Sequence, residues 1–450
     1  MVLLIAITMT LPAQMRQWSL EECIAHALEN NTGVKQQHLQ TLRQQNQLTM
    51  ARLSLLPSLS GTGSWNMAFG RALDQTTYEF IDNQTVVSGQ IYAGSSITLF
   101  NGLRNYNNIV KSRYELVAAG YDLELIKDNL TLNVTLAYLQ ILLSRELVSV
   151  AESQLELTRQ QIKRITDMVE TGGLTRGSLL DIQAQLAREE MHLTAMRNNL
   201  DLSMLALTQL MDIETVDGFD IFTPMEVEGG EETGAINNST ADIFSKALAN
   251  RPEILSAETR LRIAALNLRI ARGGQSPRLA LSNAFSTGWS DARRRLLNDD
   301  PANPVYGYYS PVEQFADNIN YGIGLSLSVP LLNGWQVRTG IKNAQLEVTE
   351  RDYILEEARK QLYRDIQQAM ADAVAARKSF EAGEKALAAL KEAYRYAEER
   401  LSVGLVTPAE YNTAKTNLLI SESELLQAKY EFLFKTRVLD FYQGIPISLN

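Results

Sequence analysis

The side chains able to do chemistry in this chain are few and scattered. Three histidines, His26, His38 and His192, lie far apart on helical segments and lack the paired spacing of a zinc site. The twelve methionines show no clustered Met-x-x-Met pattern that would ligate copper or silver, and core packing accounts for them. A single cysteine, Cys23, excludes an internal disulfide framework or thiolate cluster and reads as a core residue on a helix face. No GxGxxG, P-loop, GxSxG or HExxH occurs, so the common nucleotide and hydrolase signatures are missing. No catalytic residue, metal site or cofactor is predicted. The remaining candidates are acids beside two glycine turns: Glu410, just after Thr407, and Asp181, whose equivalent place further along the chain is held by Thr413. If several chains converged there, the carboxylates would ring a cation-selective constriction. The competing reading is an acid in a helix first turn that complements the helix dipole.

Those turns belong to a tandem repeat, and repeats decide the fold before motifs do. Leu99-Phe100-Asn101-Gly102 matches Leu331-Leu332-Asn333-Gly334 at an offset of 232, and Gly172-x-x-Thr175 matches Gly404-x-x-Thr407 at the same offset. Upstream, Ala27-Leu28-Glu29-Asn30 matches Ala247-Leu248-Ala249-Asn250 at 220. The difference of 12 is expected in the Pro-, Asn- and Tyr-rich run Asn298 to Pro311. Each half reads helix, strand, strand, long helix, sharp turn, helix. The first repeat spans 14–211, with strands near 58–70 and 90–100, a helical hairpin over 107–211 and its turn at 172–175. The second spans 239–450, with strands near 279–289 and 320–330, a hairpin over 339–442 and its turn at 404–407. Between them, 212–238 is an acidic linker or equatorial segment, expected to stand in solvent outside the hairpins. Residues 1–13, with the apolar run Val2 to Leu11 and then Pro12-Ala13-Gln14, read as a signal peptide. Leu20-Glu21-Glu22 before Cys23 is not a lipoprotein signal, so no lipid anchor is expected.

The strands alternate with period two: Leu59, Trp65, Met67 and Phe69 against Ser60, Thr62, Ser64 and Asn66, and Tyr321, Ile323, Leu325 and Leu327 against Gly322, Gly324, Ser326 and Ser328. About ten residues each is the length a tilted strand needs to cross a bilayer. The polar face is small and uncharged, and aromatics lie along or close to these strands, as a porous interior and an interfacial girdle require. Leu130, Val134, Ala137, Ile141, Ser144, Val148, Ala151 and Leu155 begin an unbroken 4–3 spacing that runs to Val169 and returns 232 residues later from Leu362 to Leu401. So sustained a 3.5 period predicts coiled-coil-like helices, roughly 90 Å long at ~1.5 Å per residue.

Four membrane strands cannot close a barrel, and open edges in lipid are prohibitive. The chain must therefore oligomerise, and three copies give twelve strands and a useful lumen. A net charge of −10 argues against nucleic acid as a partner. At this point the chain resembles the TolC-like outer membrane efflux family. The likeness rests on the opening helix Ser19 to Leu28, Leu56 to Leu59 at the first strand, the junction Val329-Pro330-Leu331-Leu332-Asn333-Gly334 and the turns at Gly172 and Gly404.

The resemblance implies a mainly α fold with a small β part: a homotrimer with a twelve-stranded β-barrel among outer membrane lipids, continued by a periplasmic coiled-coil α-barrel. It also implies docking by the hairpin tips onto a periplasmic membrane fusion (adaptor) protein fed by an inner-membrane transporter. Adaptor contacts would fall on Gly172, Leu174, Thr175, Gly404, Val406 and Thr407. Strand-to-helix junctions would fall on Asn101, Gly102, Pro330, Asn333 and Gly334. In well-known members two aspartates after the second tip close the aperture; the matching positions here are Glu410 and Thr413, one acid kept and one lost. The function implied is a passive conduit of tripartite efflux or type I secretion, not an enzyme. The rival from another class is a soluble or peripheral coiled-coil scaffold whose strands form a small capping sheet.

Overall fold

The computed structural model describes residues 17–73, 80–223, 239–298, 300, 303–403 and 405–447. The signal peptide expected at 1–13 lies outside these residues. Repeat one comprises β1 (Gln17–Trp18), α1 (Leu20–Asn30), α2 (Thr32–Leu53), β2 (Ser58–Leu73), β3 (Phe80–Phe100), α3 (Arg104–Glu170) and α4 (Arg176–Leu210), followed by β4 (Asp220–Ile221). Repeat two comprises α5 (Thr240–Asn250), α6 (Pro252–Gly273), β5 (Arg278–Ser290), β6 (Arg294–Leu296), β7 (Tyr306–Tyr308), α7 (Pro311–Asp317), β8 (Asn320–Ser328), α8 (Gln336–Ser402) and α9 (Pro408–Tyr442). The long helices α3 and α8 have 67 residues each, and the return helices α4 and α9 have 35 each. The chain is mainly helical, with a small sheet part.

The compact units of structure cut across the repeats of sequence. One unit takes in 1–41, 118–258 and 354–450, and the other 42–117 and 259–353. In the second unit the sheet order is β2-β3-β5-β8 with every pairing antiparallel, so one hairpin of each repeat lies beside the other. β2 and β8 are its edges. The alternation works as the sequence requires: Tyr321, Ile323, Leu325 and Leu327 form one exposed face of β8, as do Leu59, Trp65, Met67 and Phe69 on β2. Large exposed apolar side chains in a row have no place on a solvated sheet. β3 starts at Phe80, ten residues before the expected strand, because Thr85, Val86 and Val87 carry β-branched side chains into the ladder with β2.

Where repeat two has its extra residues, the strands stop short and a folded insertion takes over. β8 pairs β5 only as far as Ser286 with Asn320. Beyond it, α7 satisfies the free edge of β5. Gln314, fully buried, donates to the Ser290 carbonyl at 2.9 Å and accepts from the Ser290 amide at 2.9 Å. Asn318 donates to the Gly288 carbonyl at 2.7 Å, and Thr287 Oγ1 to the Phe315 carbonyl at 2.6 Å. An amide side chain thus stands in for a strand backbone. Ser310 caps α7 with Glu313 in a reciprocal capping box, with Pro311 in the first turn, a start signal legible in the sequence.

The strand-to-helix junctions use one device twice. Gly102 and Leu103 have φ of +69° and +61°, and Gly334 and Trp335 have +58° and +66°. Two consecutive left-handed residues turn the chain from strand into long helix. At Gly102 a side chain would also force the backbone to shift, since a Cβ would lie 2.5 Å from the Gly273 carbonyl oxygen. Asn101 Oδ1 accepts the Asn105 amide at 3.3 Å, and the Gln336 amide donates to the Asn333 carbonyl at 3.2 Å. Pro330 is exposed at the end of β8.

The helical unit has its densest core where Leu20, Cys23 and Ala27 of α1 meet Val134, Tyr138, Ile141 and Leu142 of α3 together with Leu207, Met211 and Ile221. The 4–3 seams from Leu130 to Val169 and from Leu362 to Leu401 are buried or half-buried at every position. A stretch of α3 is apolar enough by composition to cross a bilayer, but 56% of it is buried inside the chain, as a core helix would be. The beginning of the acidic segment does not stand off in solvent. β4 pairs in parallel with β1, Ile221 is fully buried, and Tyr138 Oη donates to the Phe222 carbonyl at 2.6 Å. Asp212, at φ +57°, accepts the Thr32 amide at 2.9 Å, and Arg145 pairs with Asp220. Those acids are fixed by partners, which charge counting could not reveal. Residues 224–238 of that segment lie outside the described residues.

Candidate functional site

The first turn is built by glycine geometry and hydroxyl capping. Gly172 at φ +77° ends α3, and the Gly173 and Leu174 amides return to the Met168 carbonyl at 2.8 and 3.2 Å, closing the helix with a left-handed residue. Thr175 opens α4 by accepting the Ser178 amide on its hydroxyl at 3.3 Å. Gly172 and Thr175 are exposed, and Leu174 is half-buried.

The second turn repeats this with an acid in place of Ser178. Thr407 accepts the Glu410 amide at 3.2 Å, and Glu410 Oε2 accepts the Thr407 amide at 2.9 Å. The two complete a capping box. Glu410 therefore has a local job within the chain, while its exposed position leaves the carboxylate open to solvent. Thr413 donates to the Ala409 carbonyl at 3.0 Å. Asp181 is exposed one turn into α4, beyond its first turn. Val406 is half-buried and Thr407 exposed, whereas Gly404 lies outside the described residues. Among the described residues Glu410, Thr413 and Asp181 share no partner within one chain.

Sequence reasoning missed a polar layer inside the hairpins. Lys415 of α9, with its side chain 5% exposed, reaches Thr158 Oγ1 of α3 at 2.6 Å and lies 3.9 Å from Glu189 of α4. Glu189 also accepts from Thr158, from Gln154 at 3.3 Å and from Gln185 at 3.0 Å. Burial pushes the Lys415 ammonium below its ordinary range, and Glu189 pulls it back up. One helical turn nearer the start of α9, Tyr411 shares a hydrogen bond with Tyr394 of α8 at 2.6 Å and accepts one from Gln161 of α3. Burial raises Tyr411 out of the ordinary phenol range. The available signal was an interruption: Thr158 is polar at a 4–3 position that is otherwise mostly apolar, and Lys415 falls on the inner face of α9. Among the described residues no group of three metal-ligating side chains converges.

The model of the outer membrane efflux protein family matches residues 23–212 and 243–441. The chain belongs to that family. The two matched stretches are separated by residues 213–242, which hold all of the acidic segment but Asp212. Among relatives, the outer membrane efflux protein BepC of Brucella suis is 20% identical over 94% of this chain and 84% of that protein. The outer membrane protein TolC of Salmonella enteritidis is 24% identical over 71% of this chain and 61% of that one. Among solved structures, the outer membrane protein VceC of Vibrio cholerae superposes with a TM-score of 0.75 at 16% identity, covering 94% of this chain and 96% of that chain. An outer membrane efflux protein with this sheet and these hairpins shares its fold across very different sequences.

Proposed function

We propose that three copies of this chain form the outer membrane conduit of a tripartite efflux or type I secretion assembly. The observation that carries the reading is the open four-stranded sheet, whose β2 and β8 edges and exposed apolar face need both a lipid surround and further strands. Three copies would close twelve strands into a barrel, and the hairpins would continue it as a helical tube in the periplasm. The turns at Gly172, Leu174 and Thr175 and at Gly404, Val406 and Thr407 would meet a periplasmic adaptor, with an inner-membrane transporter behind it. Glu410, with Asp181 and Thr413 nearby in the ring, would line the aperture.

The mechanism is passive. The transporter supplies the energy, and the hairpin ends untwist to open an exit whose walls carry no catalytic group. At that end no residue of α3 beyond Thr158 and none of α4 before Ile182 is buried, so the first hairpin offers little packing against displacement, while on the second hairpin Tyr411 is buried against Tyr394 and Gln161.

The test is the mass of the complex extracted from outer membranes in mild detergent, corrected for bound detergent. Three chains are expected. A monomer in the soluble fraction would overturn the reading in favour of a coiled-coil scaffold.

A further inference from the structure

The two edges of the sheet do not match in length. β2 has 16 residues and β8 has 9. In a closed ring of three copies each β8 lies beside the β2 of the next copy, an inference that rests on the trimer proposed above. Antiparallel pairing that starts with Ser58 beside Ser328 ends with Asn66 beside Asn320 and leaves Met67 to Leu73 without a strand across from them. That overhang lies at the end of the sheet away from α2 and α8. It also carries the first charge of β2, Arg71, which pairs with Asp82 at 3.3 Å, whereas 58–70 has none. An open edge with Met67, Phe69 and Leu73 exposed along it is a site for a further partner.

β8 is short because a helix stands in its place. At the offset of 232, Phe80 corresponds to Val312 and Ser88 to Asn320, so where repeat one runs the start of β3, repeat two folds α7. Only Asn318 and Ile319 separate α7 from β8, which puts the helix end at the level where the overhang of the next copy begins. One side of this segment, with Gln314, Phe315 and Asn318, holds the β5 edge of its own chain. At 3.6 residues per turn the opposite side presents Val312, Ala316 and Ile319. All three are exposed, Val312 at 79%. The acids of α7 are occupied within the insertion: Glu313 accepts from Ser310 at 2.8 Å and lies 3.5 Å from Arg295, and Asp317 accepts from Tyr309 at 2.7 Å. Closing an apolar partner over this side would therefore strand no unpaired carboxylate.

We propose that the Val312, Ala316 and Ile319 side of α7 docks on the Met67 to Leu73 edge of β2 in a second copy of this chain. α7 is then a helical substitute for a strand on both of its sides, covering the β5 edge of its own chain and the β2 edge of the next. The ring is closed by β8 against β2 along the first nine residues and by α7 beyond them.

Disulfide cross-linking of the full-length protein in outer membranes tests this. Cys23 is fully buried, so the wild type serves as the uncross-linked control. Two double variants place thiols across the proposed contact, Ile319→Cys with Met67→Cys and Val312→Cys with Phe69→Cys. A third, Val312→Cys with Leu59→Cys, places the second thiol ten residues down β2, about 34 Å away at ~3.4 Å per residue. Thiols bridge only when their Cα atoms come within about 7 Å. After oxidation, at least one of the first two variants is expected to lose most of its single-chain band on a denaturing gel to covalent dimers and trimers, and the third to keep it. A bond within one chain gives no larger species. Absence of larger species in both of the first two, with trimers intact by mass, overturns the proposal and leaves this side of α7 to lipid or another protein. Equal cross-linking in the third variant overturns it as well. A wild-type chain that is not trimeric fails the conduit reading itself, and the mass measurement shows this separately.

Discussion

Glu410 has two readings, and the structure shows how to separate them. Its backbone amide and its carboxylate both belong to the capping box with Thr407, so Glu410→Ala would remove a cap along with a charge. Glu410→Gln keeps a side-chain acceptor for the Thr407 amide and removes only the charge. If the acids ring an aperture, Glu410→Gln relieves block by divalent cations in single-channel recordings, and Thr407→Ala does not. Thr407→Ala is expected instead to lower helix stability by about 0.5–2 kcal/mol, read from the thermal midpoint of the hairpins. Equal block in Glu410→Gln and wild type would leave Glu410 as a capping residue alone. Lys415 gives a second residue-scale prediction. Its pKa is lowered by burial from the ordinary 10.5, so between the lowered value and 10.5 the unfolded chain holds more protons than the folded one. Stability therefore rises with pH across that window. Thermal midpoints should show this rise in the wild type relative to Lys415→Met, and parallel profiles would disprove it.

At the scale of elements, the junctions and the strand faces make separate demands. The turn into α3 requires a positive φ at Gly102 and a backbone approach to the Gly273 carbonyl that a Cβ would force apart. Gly102→Ala should therefore cost about 1–3 kcal/mol and release the start of α3 to faster hydrogen exchange. Normal protection there would mean that the junction absorbs a side chain. The strand faces are tested by neighbouring residues of β8. Leu325 belongs to the exposed apolar face and Ser326 to the other. Facing lipid, Leu325→Arg should cost about 2–4 kcal/mol near the bilayer midplane and reduce assembled trimer in the outer membrane. Ser326→Arg should leave assembly intact and alter conductance. The opposite pattern would reverse which face lines the lumen.

At the scale of the whole molecule, the repeat and the compact units do different work. Sequence repeats record two copies of one plan, helix to strand hairpin to helical hairpin. The structure regroups them, with both strand hairpins in one sheet and both helical hairpins in one helical unit. Function in such a molecule needs no reactive side chain. A conduit needs continuity, edges that find partners and one end that moves, and the catalytic residues absent from the sequence are not required.

The sequence by itself determined the repeat, the period-two strands, the 4–3 helices and the glycine turns, because each is a local pattern repeated often enough to outweigh chance. It located α3 and α8 to within a few residues through the Asn-Gly junctions and the Gly-x-x-Thr turns. Only the tertiary structure decided which hairpin lies beside which, since the strand order β2-β3-β5-β8 joins residues some 200 positions apart. Only the structure showed α7 completing the β5 edge, because one buried Gln314 there replaces a strand and a single amide has no periodicity to read. The buried Lys415–Glu189 pair was hidden for the same physical reason. Lys415 on α9 lies 257 residues from Thr158, and a charge reads as solvent-facing until packing shows what surrounds it.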